Sequence, residues 1–320
     1  MPLTDLTRDE CFDYRSEATP PADFDAFWDR TLARAPAAGP VFTPVDCGLG
    51  RLRVQDVTFT GYDGAPVRGW LHLPAGEPQL RGCVVEFLGY GRGRGLAHEN
   101  LLWASAGYAH LLMDTRGQGW SAAAGHTVDE GPGGAGSVPG FLTRGVESPD
   151  THYYRRLYTD AVRCVEAARS HPEVDPERVV VTGHSQGGGI ALAVSALVPG
   201  LAGVLPDVPF LCDVRRGAER AALGPYTEVA TYLQLHRDRA GSVFETLSYF
   251  DGVHFAARAT APALFSVALM DPVCPPSTCF GAYHAYAGPK QVEVYGFNGH
   301  EGGGEHHRAL QLARVRELIG

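Results

Sequence analysis

Apolar residues recur along this chain in two rhythms, and their alternation predicts the fold. In ADFDAFWDRTLARAP (22–36), Phe24, Phe27, Trp28 and Leu32 fall at the spacing of one helix face. RVQDVTFT (53–60) and PVRGWLHL (66–73) instead alternate apolar and polar positions around Asp63-Gly64, the pattern of a β-hairpin. Short apolar runs of strand length follow: CVVEFL (83–88), HLLMD (110–114), RVVVTG (178–183), LAGVLPDVPFL (201–211), ALFSVALMD (263–271) and QVEVYG (291–296). Helical patterns separate them. HENLLWASAGY (98–108) reads as a short helix, and THYYRRLYTDAVRCVEAARSH (151–171) as a long one with Tyr154, Leu157, Ala161 and Cys164 on one face. The tail EHHRALQLARVRELI is amphipathic. Strands alternating with helices predict an α/β fold: a mostly parallel, doubly wound sheet led by an antiparallel hairpin.

Two stretches stand outside this alternation. Residues 117–150 are rich in Gly, Ser and Pro and read as a long surface loop, functional or interfacial by its length. Residues 214–255 are helical and polar without a strand run, and are expected as an insertion over the top of the sheet. No repeat or linker splits the chain. Residues 1–320 are expected to form one domain, with 1–40 as an N-terminal helical extension.

Composition narrows the function. Of 320 residues, 44% are hydrophobic, ordinary for a globular core. The net charge of −9 offers no basic surface and argues against a nucleic-acid partner. Seven cysteines, at 11, 47, 83, 164, 212, 274 and 279, form no C-x-x-C pair, which fits a reducing compartment. The first twenty residues lack the basic and apolar regions of a signal peptide, and no apolar run approaches the ~20 residues of a membrane span. The expectation is a cytoplasmic protein with no membrane contact.

The candidate chemistry lies in Gly183-His184-Ser185-Gln186-Gly187, where a β-branched run ends and a small-residue helix begins. A G-x-S-x-G turn between strand and helix can hold serine as a nucleophile at the top of an α/β-hydrolase sheet. Ser185 as a helix N-cap is the alternative. In that fold the acid and the histidine follow the serine in chain order. Asp271 ends ALFSVALMD, and His300 follows QVEVYG in a glycine-rich loop, so each lies where its strand ends. Glu301 is the competing acid. His300 would take the Ser185 proton and return it to the leaving group, and Asp271 would hold the imidazole tautomer. Backbone N–H groups of Gln186 and of Tyr90, in GYGRGRG (89–95), are the expected oxyanion donors. Tyr90 offers its backbone alone or its phenol as well. His184 reads as a packing residue. HEGGGEHH (300–307) lacks the His-x-x-x-His spacing of a zinc helix, so no metal is expected; GYGRGRG lacks the G-x-G-x-x-G of dinucleotide binding, so no cofactor is expected.

With these residues in place the chain resembles carbohydrate esterase family 7, the acetyl xylan esterases and cephalosporin C deacetylases. The resemblance rests on Arg116-Gly117-Gln118-Gly119, on Gly183–Gly187 and on His300-Glu301. It extends through FLTRGVESPDTHYYRRLYTDAVR, SQGGGIALAVSAL, DVPFLCDVRR, MDPVCPPST and YAGPKQVEVYGFNGHEGGG. It implies the triad Ser185, Asp271 and His300, an oxyanion hole from Tyr90 and Gln186, and a supporting role for Arg116–Gly119. It further implies deacetylation of small acetylated substrates by a homo-hexamer whose sites face an inner cavity. The chain departs from the family pattern at His184, where a small residue is expected, and at Asp213-Val214. Rival readings are a peptidase of the same fold and a binding protein on a non-catalytic hydrolase scaffold.

Overall fold

The computed structural model describes residues 3, 5–33, 39–76, 82–129 and 137–320. Nine strands form one sheet: β1 (Val41–Val45), β2 (Leu52–Thr60), β3 (Pro66–Pro74), β4 (Cys83–Phe87), β5 (Ala109–Met113), β6 (Val179–His184), β7 (Gly203–Asp207), β8 (Ala263–Ala268) and β9 (Lys290–Tyr295). Their spatial order is β1-β2-β3-β5-β4-β6-β7-β8-β9. The first three strands and the β3–β5 pair are antiparallel, and every later pair is parallel. This is the α/β-hydrolase fold expected from the alternation of patterns.

The sheet is covered on both faces, which is why its parallel strands are continuously apolar rather than alternating. Successive residues of a strand face opposite sides. Cys83, Val85 and Phe87 of β4, with Val179 and Val181 of β6, pack under the helices Tyr153–Ser170 and Gln186–Leu197. Val84 and Val180 face the other way, onto Trp103, Val315 and Ile319. The last two belong to the final helix, Gly304–Ile319.

Several elements differ from the sequence expectation. The leading hairpin is part of a three-stranded meander, because β1 pairs with β2. Its apolar signal is weak: β1 is an edge strand, Val41 is 60% exposed, and Pro44 is tolerated there. A capping box between Thr7 and Glu10 starts a helix at Arg8–Asp13 in the polar N-terminal stretch. The helix expected over 22–36 is observed at Phe24–Ala33, and 34–36 lie outside the described residues. The short helix expected over 98–108 contracts to one turn, Leu102–Ser105. Residues 214–255 carry four helices, Val214–Arg220, Tyr226–Leu235, Ala240–Ser248 and Gly252–Ala256, as expected of an insertion between β7 and β8.

The segment 117–150 adds most to the sequence reading. It is a loop without helix or strand among its described residues and is exposed at Val128 and Val138, but it is also anchored inside: Gln118, Thr127, Asp129, Phe141, Leu142 and Val146 are buried. Asp129 pairs with Arg156 at 2.9 and 2.8 Å, and Phe141 sits edge-on to Tyr153 at 4.5 Å. Glycine-rich composition signalled irregular backbone, which is not the same as exposure. Residues 130–136 of this segment lie outside the described residues. No helix among the described residues is long and apolar enough to cross a membrane.

Candidate active site

Ser185 stands at the sharp turn between β6 and the helix Gln186–Leu197, with φ 58° and ψ −116°. This conformation is strained for a residue with a Cβ. It persists because the surroundings fix it. The Ser185 N–H donates to the Asp207 carbonyl at 2.9 Å, and its carbonyl accepts from Gly189 and Phe210 at 3.1 and 2.9 Å. The flanking glycines answer to close approach. A Cβ on Gly187 would lie 2.0 Å from the Phe87 carbonyl oxygen, and one on Gly183 2.3 Å from the Gly187 backbone. The alternative of Ser185 as a side-chain N-cap does not hold, since its side chain makes no cap hydrogen bond.

The serine hydroxyl lies 2.9 Å from His300 Nε2, and His300 Nδ1 lies 2.8 Å from Asp271 Oδ2. The three sequence-predicted residues therefore form one hydrogen-bonded chain. Asp271 is fully buried after β8, and its Oδ1 accepts from the Val273 and Cys274 amides at 2.8 and 2.9 Å. Those bonds fix the carboxylate rotamer and leave Oδ2 for the imidazole. Glu301 is turned away: it accepts from Gly299 N–H at 3.1 Å and from Asn298 at 3.1 Å, closing the loop that carries His300. His184 does more than pack. Its Nε2–H donates to the His300 carbonyl at 2.8 Å, and its ring meets the His300 ring edge-on at 5.1 Å. Burial lowers its pKa, so the ring is held neutral with the proton on the nitrogen that the carbonyl needs.

The loop after β4 lies against this turn. Gln186 Nε2 donates to the Leu88 carbonyl at 3.2 Å, and an ideal Cβ on Gly89 would be 3.7 Å from the His184 carbonyl. Gln186 is the first residue of its helix, so its backbone N–H has no acceptor within the helix. Tyr90 occupies a turn closed by Arg92 N–H to the Gly89 carbonyl at 3.2 Å. Its phenol donates to Glu228 Oε1 at 2.6 Å and accepts from the Gly140 and Phe141 amides at 3.1 and 2.9 Å. The phenol is thus engaged within the protein, and the Tyr90 amide is the group left for a ligand.

The Arg116–Gly119 segment gains a physical role. Arg116 binds Asp160 through two bonds of 2.5 and 2.9 Å, both groups fully buried. Gly117 donates to the Thr127 carbonyl at 2.8 Å. A Cβ on Gly119 would strike the Gly125 amide at 2.2 Å. Gln118 is the connector. Its Oε1 accepts from Gly91 N–H at 2.7 Å, and its Nε2 donates to Gln186 Oε1 at 2.8 Å and to the Tyr153 hydroxyl at 3.0 Å. The Tyr154 hydroxyl donates to the same Gln186 oxygen at 3.0 Å. Sequence reasoning missed Tyr153 and Glu228, and placed Tyr154 only as helix packing. Buried hydroxyls and carboxylates that meet across more than 30 positions leave no local spacing to read.

Among the described residues, Asp271, Cys274 and His300 are the group whose ligand atoms lie close enough together, within 4.8 Å, to hold a metal ion. Two of the three belong to the hydrogen-bonded chain with Ser185. In the 300–307 stretch, His307 Nδ1 instead faces the Tyr295 hydroxyl at 3.0 Å. A cavity of about 850 Å³ lies elsewhere, between residues 14–23 and the insertion, and none of Ser185, Asp271 or His300 lines it.

The chain is similar to known proteins over nearly its whole length. The model of the acetyl xylan esterase family matches residues 1–316. The solved acetyl xylan esterase from Paenibacillus sp. R4 is 37% identical with a TM-score of 0.88, covering 98% of this chain and 100% of that one. Acetyl xylan esterase 1 from Thermoanaerobacterium sp. JW/SL YS485 is 31% identical with a TM-score of 0.88, covering 99% and 100%. Acetyl esterase Axe7A of Xylanibacter ruminicola is 30% identical over 166 residues, 50% of this chain and 36% of that protein. The matched stretches span less than half the length of the curated relatives. The chain belongs to the acetyl xylan esterase family, a family of carboxylic ester hydrolases built on the α/β-hydrolase fold.

Proposed function

We propose that this chain removes acetyl groups from small acetylated alcohols, acetylated xylo-oligosaccharides first and cephalosporin C as a further substrate, through an acetyl-enzyme. The observation that carries the reading is the Ser185–His300–Asp271 chain of 2.9 and 2.8 Å contacts. His300 Nε2 takes the hydroxyl proton as Ser185 Oγ bonds to the acetyl carbon. Asp271 accepts from Nδ1–H and stabilises the imidazolium. The oxyanion forms opposite the Gln186 and Tyr90 amides; losing one such donor typically costs ~3 kcal/mol. His300 then protonates the departing alcohol, and water repeats the sequence to release acetate. No step in this sequence needs a metal or cofactor. The acetyl preference rests on the names of the relatives over nearly the whole chain. A cytoplasmic hexamer, with imported oligosaccharides as substrates, completes the proposal.

Ser185→Ala is expected to lose at least ~10⁴-fold in kcat with the fold intact, and labelling by a fluorophosphonate should disappear with it. Turnover within tenfold of wild type removes the nucleophile assignment. Activity should fall from acetate to butyrate to octanoate esters, and a rising kcat/KM along that series overturns the small-acyl reading. Light scattering on the eluting protein gives the assembly mass; a fully active species near 34.3 kDa removes the hexamer.

A further inference from the structure

The helical insertion reaches the oxyanion loop through one side chain. Glu228, in the helix Tyr226–Leu235, accepts the Tyr90 phenol proton on Oε1 at 2.6 Å across 138 residues of sequence. The same carboxylate accepts from Gly140 N–H at 3.0 Å and, on Oε2, from Leu142 N–H at 3.0 Å. Tyr90 in turn takes the Phe141 amide at 2.9 Å. All three groups bonded to Glu228 are donors, so the carboxylate satisfies them with its two acceptor oxygens, and an amide in its place, with only one acceptor oxygen, cannot satisfy them all. The helix itself is anchored. Neighbouring Tyr226 is fully buried, and its hydroxyl bonds both the amide and the carbonyl of Cys212 at 2.9 Å.

This matters because of what flanks Tyr90. It stands between Gly89 and Gly91, and Gly91 has φ +82°. A peptide between two glycines has little torsional preference of its own. The direction of its N–H then depends on the Gly89–Arg92 turn bond, on Gln118 at the Gly91 amide and on what holds the Tyr90 side chain. Around that ring, Trp120 lies edge-on at 5.3 Å and Phe141 at 6.1 Å, which confine it laterally without fixing its rotation about the turn. The directional restraints on the phenol are its bond to Glu228 and the Gly140 and Phe141 amides, and Glu228 holds that amide segment too, through Gly140 and Leu142.

We propose that Glu228 is a positioning residue for the oxyanion donor: held on the insertion, it fixes Tyr90 and thereby aims the Tyr90 amide at the developing oxyanion. The proposal rests on the triad and oxyanion reading above. It assigns the insertion a part in turnover. An oxyanion donor strengthens its bond only as charge develops, so misaiming it lowers kcat while leaving ground-state binding in place.

The test compares Glu228→Ala, Glu228→Gln, Tyr90→Phe and the double variant Glu228→Ala/Tyr90→Phe on an acetate ester. Rates are expressed per reactive serine, counted by fluorophosphonate titration. Glu228→Ala and Tyr90→Phe are each expected to lower kcat roughly tenfold or more, with KM within about threefold. The double variant should be no slower than the slower single, because the two side chains act as one unit. Glu228→Gln should fall between wild type and Glu228→Ala, since the amide keeps one acceptor and turns a donor toward the Leu142 amide. Affinity for a boronate transition-state analogue should drop by the same factor as kcat. Unchanged kcat per reactive serine in Glu228→Ala overturns the proposal, as does a rise in KM alone, or strictly multiplicative effects in the double variant. Ser185→Ala run in parallel separates the two claims. If it turns over, the triad reading fails; if it is dead while the Glu228 variants match wild type, only the positioning claim fails.

Discussion

Gln186 and Tyr90, the two residues whose amides are assigned to the oxyanion, are anchored by opposite means. Gln186 is held by backbone contacts. It follows a strained serine whose N–H donates to the Asp207 carbonyl and whose C=O accepts from Gly189 and Phe210, and it opens a helix. Tyr90 is held by distant side chains: Glu228 grips its phenol, and Gln118 takes the amide of the next residue. The first arm is rigid because glycines let three backbones pack at contact distance. The second is rigid only while a polar network remains whole. The difference teaches that one catalytic feature can combine a part held by close backbone packing around a five-residue motif with a part held by side chains from across half the chain.

The largest effect expected beyond the nucleophile itself tests the local arm's partner. Asp271→Asn should lower kcat by ~10³–10⁴-fold, because an amide donor facing Nδ1 selects the wrong imidazole tautomer. Glu301→Gln should be mild, since Glu301 is occupied by the Gly299 amide and by Asn298. A crippled Glu301→Gln beside a mild Asp271→Asn reverses the assignment of the acid.

Next in size is a pair of methyl groups. Gly187→Ala places a Cβ 2.0 Å from the Phe87 carbonyl, so β4 and the nucleophile helix must part; several kcal/mol of destabilisation follow, at the ~4 kcal/mol scale of severe core lesions. Gly89→Ala places its Cβ at 3.7 Å from the His184 carbonyl, an ordinary contact, and should cost under ~1 kcal/mol. Urea denaturation of both variants measures this. Equal losses would erase the claim that steric fit holds one arm and hydrogen bonding the other.

What the sequence could and could not convey follows the same division. Ser185, Asp271 and His300 were legible because each terminates a strand whose apolar run marks its end, and chain order then selects them. The parallel strands were legible for the same reason. β1 was not, because an edge strand with an exposed Val41 carries little burial signal. The buried anchors of segment 117–150 were not legible, because its glycines mark irregular backbone and also permit tight backbone approach in the interior, as Gly119 does against Gly125. Glu228 looked like one more polar residue of a polar insertion. Its partner lies 138 positions away, and no periodicity spans that distance.

Acid offers a graded way to separate the arms. Burial lowers the pKa of His152 from 6.5 to about 4, with Arg156 acting in the same direction. Its Nε2–H donates to the Leu142 carbonyl at 3.0 Å, and its Nδ1 accepts the Tyr154 amide at 3.3 Å. Protonation turns Nδ1 into a donor facing a donor. Since the folded pKa is depressed, the stabilisation is full above pH 6.5 and is lost as pH falls toward 4, by up to about 3 kcal/mol. His72 and His254, also lowered to about 4 by burial, add to the global loss over the same window. Hydrogen exchange, corrected for intrinsic rate, should therefore rise at the Leu142 and Tyr154 amides before it rises at the Gly189 amide, which is bonded to Ser185. Simultaneous loss at both places means that the arms open together.

The smallest effect falls on the link between the arms. Gln118 joins them directly, its oxygen on the Gly91 amide and its nitrogen on the Gln186 side chain. Gln118→Met keeps the volume and removes these bonds together with the one to the Tyr153 hydroxyl. The orphaned Gly91 amide and the freed Gln186 carboxamide together cost ~1–3 kcal/mol of stability. The catalytic consequence is more selective. Gln186 retains Tyr154 and the Leu88 carbonyl, so its backbone stays in place. The glycine-flanked Tyr90 peptide loses one of its two side-chain restraints, Gln118 and Glu228. A fall in kcat of roughly tenfold with KM unchanged is expected, because only the transition-state charge senses the misaimed amide. In a Glu228→Ala background the same substitution should be more harmful than the two separate effects predict, since the peptide then keeps neither restraint. Additive losses would mean that each side chain serves a different function, and that the loop-held arm is not a single mechanical unit.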